Sequence, residues 1–307
     1  MRLGSDHVLV RVPATSANLG PGFDSLGLAL GHYDTIEVRA LGSPEVVVEV
    51  TGEGAGELPD GEDHLVVRAI RAALDEVGAP QTGLHLRCTN QIPHGRGMGS
   101  SAAAVVAGIL AVRMLIADPE ALGNTRAFLI ATRFEGHPDN AAPAILGGAT
   151  VSWTGADGPH ATELPLHPDL SPVVLVPEER CATRTARGVL PPTVPHADAA
   201  FTAGRAALLV QALCHRPELL FEATAERLHQ EYRAAVMPRT WELVRALRDA
   251  GQAAVVSGAG PSILVLERLS DGDAGAAARR EILAGLAEPW RVLTPGVAAG
   301  GALAERL

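Results

Sequence analysis

The stretch HGRGMGSSAAAVVAGILAV at residues 94–112 joins a glycine-rich segment directly to an apolar one. Residues 102–112 contain no charged side chain and no proline. Glycine lets the backbone approach a ligand closely, and the first N–H groups of a helix lack partners inside the helix. A glycine-rich turn that opens a buried helix therefore predicts a site for a phosphate group. We expect Ser100 or Ser101 to cap this helix.

Lysine is absent from the chain, so all 25 positively charged Lys or Arg side chains are arginine. A Walker A loop requires the sequence GK[ST], and protein kinases require a strand lysine. Pyridoxal enzymes require a lysine that forms a Schiff base. The sequence thus excludes these three architectures, and a phosphate site at the glycine-rich turn has to belong to another one.

The overall composition limits the partners of the chain. With 307 residues, of which 47% are hydrophobic, it has material for one large domain or two modest ones, and we expect two. A formal net charge of -10 argues against a broad basic face, so we expect no nucleic-acid partner.

The cysteines and the N-terminal sequence indicate a reducing compartment. Cys88, Cys181 and Cys214 lie far apart without CxxC spacing, which favours neither a disulfide framework nor a zinc site. No segment approaches the ~20 apolar residues of a membrane span, and the N-terminus lacks the apolar core of a signal peptide. We expect a cytoplasmic protein without a membrane partner.

Hydrophobic patterning predicts a mixture of strands and separate helices. Alternating, β-branched segments such as HVLVRVP, DTIEVRAL and EVVVEV predict strands. Residues 14–30 are rich in Gly, Asn and Ser, and we interpret them as a functional loop with a short helical start. Helices are predicted near residues 119–133, 198–214 and 217–230. This mixture favours an α+β fold over a doubly wound sheet.

Residues 155–170 are rich in proline, glycine and polar residues, which is typical of a junction between domains. We therefore predict an N-terminal domain at residues 1–160, which carries the glycine-rich loop, and a C-terminal domain at residues 161–307.

Six motifs in order along most of the chain carry a family resemblance. They are VPATSANLGPGFDSLGLAL, PHGRGMGSSAAA, EGHPDNAAPAILGG, TRTARGVLP, RLHQEYR and VVSGAGPSIL. Together they resemble the motifs of homoserine kinases, a family within the GHMP small-molecule kinase superfamily. A single glycine-rich loop would be weak evidence, whereas six motifs in the family's order are specific.

The resemblance implies a two-domain GHMP kinase fold, with an N-terminal α/β domain and a C-terminal ferredoxin-like domain. It implies that ATP and L-homoserine bind in the cleft between the domains. The γ-phosphoryl group of MgATP would pass to the side-chain hydroxyl of L-homoserine and give O-phospho-L-homoserine for threonine biosynthesis. The resemblance also implies a homodimer.

The family pattern assigns the nucleotide site residue by residue. ATP would contact the loop residues Pro93, His94, Gly95, Arg96, Gly97, Met98, Gly99, Ser100 and Ser101, together with His64 near the adenine. Here His64 stands where the family commonly has asparagine, so its adenine contact is open, and Arg96 could add affinity for phosphate. Ser101, or Ser100, together with Glu135 matches the family's magnesium pair, and hard oxygen ligands suit Mg²⁺.

The family pattern likewise assigns the substrate and catalytic residues. The substrate residues would be Asn18, Asp24, Asn140, Thr183, Arg187 and Arg233. Arginine binds a carboxylate through two parallel hydrogen bonds, which is what recognition of an amino acid requires. The catalytic residues would be Ser101, Glu135, Asp139 and Asn140. Direct transfer without a strong base is the preferred mechanism, and Asp139 as a base stays open.

Two alternatives to homoserine phosphorylation remain at this point. The chain could be another GHMP-type kinase that acts on a different small alcohol, although the paired arginine motifs argue against a sugar or an isoprenoid. It could also be a catalytically silent nucleotide-binding regulator on the same fold. Such a regulator should have lost Glu135 or the serine pair, and this chain keeps both.

Overall fold

Two β-sheets organise the chain, and the structure, a computed structural model, describes residues 1–307. The strands, in chain order, are β1 (His7–Ala17), β2 (Leu26–Leu41), β3 (Val46–Gly52), β4 (Gly83–Asn90), β5 (Ala149–Gly155), β6 (Gly158–Leu164), β7 (Leu170–Val176), β8 (Ala253–Val256), β9 (Ile263–Arg268), β10 (Arg291–Leu293) and β11 (Leu303–Arg306). The α-helices are α1 (Leu65–Glu76), α2 (Ser100–Leu115), α3 (Asn124–Glu135), α4 (Ala141–Leu146), α5 (Thr183–Gly188), α6 (His196–Cys214), α7 (Leu220–Ala223), α8 (Gln230–Arg233), α9 (Pro238–Asp249) and α10 (Ala274–Ala284). No helix has the length and apolar character needed to span a membrane.

The first sheet has seven strands, in the order β11-β1-β2-β4-β3, with β5 paired to β2 and β6 paired to β5. Only β3 and β4 run parallel to each other. The strands β1 and β2 pair almost along their whole length, with one irregularity between Pro13 and Ala14. The predicted loop at residues 14–30 is therefore wrong in extent, because this pairing includes Thr15 with Ala29 and leaves only residues 18–25 as a turn.

The apolar helix predicted after the glycine-rich loop is α2. Its residues 102, 103, 105–112 and 115 are buried, as expected of a helix that is apolar on every side. It packs against β1, α1 and α3 in the main hydrophobic core. The predicted serine cap is wrong: Gly99 takes the cap position with a φ of 68°, and no side chain caps the helix. The loop therefore enters α2 through a left-handed glycine, which places Ser100 in the first turn.

The second sheet is antiparallel, in the order β10-β7-β9-β8. Along the chain, β7 is followed by helices, then by β8 and β9, α10 and finally β10. This β-α-β-β-α-β sequence with its strand order is the ferredoxin-like arrangement. The predicted α+β class, with a mixed N-terminal domain and a ferredoxin-like C-terminal domain, is confirmed.

Two of the predicted helices are shorter than expected. The stretch near residues 119–133 divides into a 3₁₀ turn, Pro119–Leu122, and α3, which continues to Glu135. Residues 217–230 form only short helical turns. There the carboxylate of Glu226 accepts hydrogen bonds from the backbone N–H groups of His229 and Gln230, so a side chain takes the place of a helical carbonyl.

The predicted domain division between residues 160 and 161 stays a prediction, and the path of the chain near that point and at its last strand bears on it. The strand β6 crosses that point while it remains in the first sheet. The last strand, β11, returns to the first sheet and pairs with β1. The C-terminal end of the chain thus completes the N-terminal sheet, and the second sheet lies within residues 170–293.

Candidate active site

A cavity of about 140 Å³ lies where the two domains meet. Residues from the separate sequence motifs surround it. The predicted site residues that line this cavity are Asn18, Gly95, Gly97, Gly99, Ser100, Ser101, Glu135, Asp139, Asn140, Thr183, Arg187 and Arg233. We call it the phosphate–substrate cavity. It is the one place in the fold where the glycine-rich loop, the acidic motif and both arginine motifs come together.

Two glycines of the loop are required by their backbone angles and by close contacts, one with backbone and one with a side chain. Gly97 has a φ of 72°, and a Cβ there would lie 2.2 Å from the carbonyl oxygen of Ser257. Gly99 has a φ of 68°, and a Cβ there would lie 1.9 Å from Thr15 Oγ1. Such backbone angles and such spacing admit only glycine without strain. The loop is therefore held against both domains, and its backbone N–H groups make no hydrogen bond to an acceptor within the protein.

Ser257, the first residue of the motif SGAGPS, holds the loop from the C-terminal domain. Its Oγ donates a hydrogen bond of 2.6 Å to the carbonyl oxygen of Gly97 and lies 2.8 Å from Ser16 Oγ. The family resemblance implies that the motif SGAGPS, residues 257–262, closes against the N-terminal loops, and the bond to Gly97 is the contact by which Ser257 does so. The contact joins the two domains directly at the phosphate loop.

Ser101 and Glu135 form an oxygen pair at the edge of the cavity. Ser101 Oγ in the first turn of α2 donates a hydrogen bond of 2.6 Å to Glu135 Oε1 at the end of α3. Burial raises the pKa of Glu135, and the hydrogen bond from Ser101 opposes this effect. A buried carboxylate with a raised pKa is stabilised by a nearby cation. No cluster of three or more His, Cys, Asp or Glu side chains could hold a metal by itself.

Asp139 and Asn140 have different neighbours. The buried Asp139 pairs through Oδ1 with Nδ1 of His137 at 2.7 Å. Burial works against the charge of His137, yet the hydrogen bond to Asp139 raises its pKa overall. Asn140 Oδ1 accepts a hydrogen bond of 2.8 Å from Thr15 Oγ1. The amide NH₂ group of Asn140 has no hydrogen-bond partner within the protein. Asn140 can therefore donate into the cavity, while the Asp139 carboxylate is already engaged.

The two predicted arginines bring positive charge to the cavity. Arg187 pairs with Asp24 through both of its terminal nitrogens. Arg233 is buried, and burial together with the neighbouring Arg187 lowers its pKa to about 10, so it remains charged at neutral pH. The Nε atoms of both arginines are buried without a hydrogen-bond partner. Two adjacent cations with free donors are the electrostatic requirement for binding a carboxylate.

Asn18 has both of its polar side-chain atoms engaged within the protein. Its Nδ2 donates to the carbonyl oxygen of Gly258 at 2.8 Å, and its Oδ1 accepts from the backbone N–H of Asp24 at 3.0 Å. Asn18 and Asp24 both have a positive φ. In this arrangement Asn18 shapes the turn that presents Asp24, and direct contact between Asn18 and a substrate stays a prediction.

His229 was not predicted, although it lies in the quoted motif RLHQEYR. Its Nε2 donates to the carbonyl oxygen of Gly20 at 2.8 Å, and its Nδ1 accepts from Arg233 Nη1 at 3.2 Å. Burial lowers the pKa of His229, which keeps the ring neutral and lets one nitrogen donate while the other accepts. His229 therefore holds the buried Arg233 against the N-terminal turn.

A second cavity of about 300 Å³ adjoins the first and shares Ser100 and Ser101 with it. The predicted residues His64 and His94 line this cavity, which we call the base cavity, together with Asp34. Burial lowers the pKa of His64, so its imidazole is neutral. A nucleotide with phosphates at the serines could place its base here.

Three predicted loop residues lie outside both cavities. Pro93 is buried, and Met98 is part of the main core. The guanidinium of Arg96 donates to the carbonyl oxygens of Pro177, at 2.9 Å, and Glu178, at 2.8 Å. Arg96 thus joins the loop to the end of β7, and its contact with phosphate stays a prediction.

Family models and relatives point in the same direction as this geometry. The model for the GHMP kinases N terminal domain matches residues 64–148, and the model for the GHMP kinases C terminal domain matches residues 209–285. The homoserine kinase of Leifsonia xyli subsp. xyli is 50% identical over 308 residues, which cover 99% of this chain and 94% of that protein. The homoserine kinase of Clavibacter michiganensis subsp. michiganensis is 53% identical over 260 residues, which cover 85% of this chain and 82% of that protein.

Solved structures share the fold. The crystal structure of homoserine kinase from Cytophaga hutchinsonii aligns with a TM-score of 0.85 at 26% identity and covers 98% of both chains. The mevalonate diphosphate decarboxylase of Staphylococcus aureus aligns with a TM-score of 0.71 at 14% identity, which shows a common fold alone.

Proposed function

The chain belongs to the homoserine kinase family of the GHMP kinases, and we infer from this membership that it phosphorylates L-homoserine. The γ-phosphoryl group of ATP passes to the side-chain hydroxyl, and the product O-phospho-L-homoserine serves threonine biosynthesis. The observation that carries the proposal for the site is the convergence of the glycine-rich loop, the Ser101–Glu135 pair and the two arginines around one cavity. Fold alone would not separate this activity from those of other kinases.

Binding of ATP follows from the shape of the loop and the adjoining cavities. The backbone of Gly95, Gly97 and Gly99 and the N-terminal end of α2 offer N–H groups to the phosphates. The base cavity, which begins at the same serines, offers room for adenine. A helix end contributes about 0.3–1 kcal/mol per anion, so several N–H bonds and a cation have to supply the rest of the binding free energy.

The Ser101–Glu135 pair fits a magnesium ion, since both are hard oxygen ligands at the edge of the cavity. Mg²⁺ takes only one or two carboxylates and completes its shell with water and substrate phosphate. When bound, the ion would neutralise charge on the phosphates. Glu135 and Ser101 would hold it.

Homoserine would bind beside the arginines through its two charged groups. Its carboxylate would be held by Arg187 and Arg233, and its ammonium by Asp24. With the α-carbon fixed in this way, the side-chain hydroxyl would extend toward Asn140 and the phosphates. Asn140 would donate its amide hydrogens to the oxygens at the reacting centre, and Thr183 would contact the substrate from the C-terminal domain.

Direct transfer without a strong base agrees with the environment of Asp139. Phosphoryl transfer depends mainly on positioning and on stabilisation of charge, and it requires little proton removal before the transition state. Since the carboxylate of Asp139 is paired with His137, its role in this mechanism is to orient that ring. The proton of the hydroxyl leaves with the phosphorylated product or to solvent.

The test of the function is a coupled assay of ADP release with four alcohols: L-homoserine, L-threonine, L-serine and mevalonate. We expect kcat/KM to be highest for L-homoserine. ATP binding without turnover of any of the four would overturn the proposal and indicate a nucleotide-binding regulator. A higher kcat/KM for mevalonate would instead indicate a different small-molecule kinase.

Two further proposals concern the state of the protein in the cell. The family resemblance supports a homodimer, and the absence of CxxC spacing supports the cytoplasm as its location. Light scattering of the purified protein tests the first proposal, and a mass that corresponds to a single chain would contradict it. Fractionation of the cells that produce it tests the second.

A further inference from the structure

One ion pair crosses the gap between the two halves of the nucleotide site. Arg180 Nη1 in the C-terminal domain donates to Glu57 Oε2 in the N-terminal domain. Immediately after Glu57, Leu58 and Pro59 line the base cavity. Immediately after Arg180, Cys181 lines the phosphate–substrate cavity. The pair, which we call the strap, therefore joins the rims of two cavities that a single nucleotide would have to fill.

The side chain of Arg180 lies along the glycine-rich loop. Its Cβ, Cγ and Cδ are 3.6, 3.8 and 3.9 Å from the position that a Cβ on Gly95 would take. The next residue, Cys181, donates its backbone N–H to the carbonyl oxygen of Gly95 at 2.9 Å. The backbone next to Arg180 is thus tied to the loop, which keeps the first carbons of the Arg180 side chain beside Gly95.

Three other arginines around the loop, Arg96, Arg187 and Arg233, already have partners within the protein. Arg96 donates to two carbonyl oxygens at the end of β7. Arg187 pairs with Asp24, and Arg233 bonds the carbonyl oxygen of Gly258. The chain has no lysine that could take the place of these cations. Arg68 lines the base cavity without an ion pair, whereas Arg180 is the arginine whose side chain lies along the glycine-rich loop itself. A triphosphate at the loop would therefore draw positive charge most directly from Arg180.

The strap is weak enough to be exchanged. Its side chains are 46% exposed at Arg180 and 54% exposed at Glu57, and ion pairs at such exposure contribute little net stability. A polyphosphate carries more negative charge than one carboxylate and would be held in place by the loop. We propose that Arg180 is a binding residue for the polyphosphate of ATP, and that it exchanges Glu57 for a phosphate oxygen when the nucleotide enters. This proposal rests on the proposed kinase function.

Nucleotide binding without homoserine tests the strap, with the dissociation constants of ATP and AMP measured by calorimetry on the full chain. In Arg180→Gln we expect ATP binding to weaken about ten-fold, as for loss of a charge-assisted hydrogen bond, and AMP binding to change little. In Glu57→Gln, Arg180 is released from its carboxylate, so ATP should bind more tightly than in the wild type. The double variant should bind ATP with the same dissociation constant as Arg180→Gln alone, because Glu57 then has no arginine to release.

Arg239→Gln is the matched control, because Arg239 forms an exposed ion pair with Glu179, next to Arg180, and lines neither cavity. Its ATP affinity should equal that of the wild type, and the KM for homoserine should be unchanged in all variants. Unchanged ATP affinity in Arg180→Gln, or weaker ATP binding in Glu57→Gln, would overturn the proposal that Arg180 exchanges Glu57 for a phosphate. Turnover of L-homoserine by the wild type would in that case still support the kinase function. Failure of the wild type to bind ATP would overturn both proposals.

Discussion

Asp24 and Arg187 form an ion pair across the two domains, with Arg187 Nη2 at 2.5 Å from Asp24 Oδ1 and Arg187 Nη1 at 3.2 Å from Asp24 Oδ2. The two residues were predicted to bind opposite charges of one substrate. Before a substrate enters, they neutralise each other. An α-amino acid offers an ammonium to the first and a carboxylate to the second, so it can replace each partner without leaving a charge unpaired. A substrate with only one of the two groups would leave one side chain uncompensated.

Replacement of Glu135 by Gln should lower turnover severely, because Gln keeps the shape of the side chain but removes the charge that would hold Mg²⁺. We expect kcat to fall by about two orders of magnitude or more, with little change in the melting temperature. Initial rates over a Mg²⁺ titration measure this effect. Glu120→Gln, at an exposed glutamate in the preceding 3₁₀ turn, is the control and should behave like the wild type. Near-normal turnover of Glu135→Gln at saturating Mg²⁺ would remove Glu135 from the metal site.

Replacement of Gly99 by Ala should impair ATP binding or folding, because the new Cβ would lie 1.9 Å from Thr15 Oγ1 at a left-handed φ. The matched control is Gly78→Ala, since Gly78 also has a positive φ but has no atom within 4 Å of a new Cβ. The free energy of unfolding of the control should fall by only about 1–2 kcal/mol, which is the cost of a left-handed backbone for a residue with a Cβ. Urea unfolding and ATP calorimetry compare the two variants. Equal behaviour of both would show that the contact with Thr15 does not shape the loop.

Replacement of Asp139 by Asn tests whether this carboxylate removes a proton. Under direct transfer we expect kcat to fall less than about ten-fold, whereas loss of a general base costs about 10²–10⁴-fold. His137→Gln is the control, because it breaks the same side-chain pair and leaves the carboxylate in place. Similar, small losses in both variants support the positioning role. A collapse of kcat in Asp139→Asn alone would identify Asp139 as the base.

Asp34 should make stability depend on pH. Burial raises its pKa to about 6, although the backbone N–H groups of Ile92 and Gln91 oppose this shift. Because the folded-state pKa lies above the unfolded value, the folded protein binds more protons between about pH 4 and pH 6, and this contribution to stability falls as the pH rises through that window. Asp34→Asn should remove the penalty and stabilise the fold at pH 7.5 by up to about 3 kcal/mol.

The variant keeps both backbone hydrogen bonds, because Oδ1 alone accepts them, at 2.6 Å from Gln91 N and 2.8 Å from Ile92 N. Urea unfolding at pH 4 and pH 7.5 measures the difference from the wild type, which should be near zero at the lower pH. Asp118→Asn, at an exposed aspartate, is the control and should change stability equally at both pH values. Lower stability of Asp34→Asn at pH 7.5 would contradict the raised pKa.

Local sequence patterns were sufficient for the buried helix and the glycine-rich turn, whereas the ferredoxin-like half of the fold was predicted from the family resemblance. They were insufficient for residues 14–30, whose content of Gly, Asn and Ser predicted a loop. The ends of this segment belong to two long paired strands, and only residues 18–25 form a turn. The strands extend because β1 and β2 pair with each other, and such pairing over a distance is not encoded in the composition of either segment. Likewise, nothing local in residues 303–306 indicated that they would return to β1.

The site residues likewise divide into those that the sequence motifs indicated and those that depend on contacts between distant segments. Glu135, Arg187 and Arg233 could be selected because they stand at matching positions of the family's motifs, since neither one arginine among 25 nor a single glutamate stands out by its chemistry alone. The residues that position them depend on contacts between distant segments: Ser257 meets Gly97 and His229 meets Gly20 only in the folded chain. Arg96 shows the opposite case, because its charge suggested a phosphate contact while folding directs its guanidinium to the carbonyl oxygens beside β7.

Recognition of an amino-acid carboxylate at Arg187 is the central claim, and a double-perturbation cycle tests it most directly. It compares wild type with Arg187→Ala, and L-homoserine with 3-amino-1-propanol, which keeps the amine and the hydroxyl but lacks the carboxylate. Because the Arg187 side chain is 34% exposed, we expect a loss near the lower end of about 2–5 kcal/mol in kcat/KM for homoserine, with little change in the KM for ATP. Arg187→Lys should recover only part of it, because an ammonium lacks the planar pair of donors.

The measured quantity is kcat/KM for both alcohols on both proteins. The account predicts that the wild type discriminates strongly against 3-amino-1-propanol and that Arg187→Ala discriminates much less, which gives a coupling free energy of about 2 kcal/mol. A coupling free energy of zero would contradict it, since Arg187 would then contribute equally to a substrate with a carboxylate and to one without.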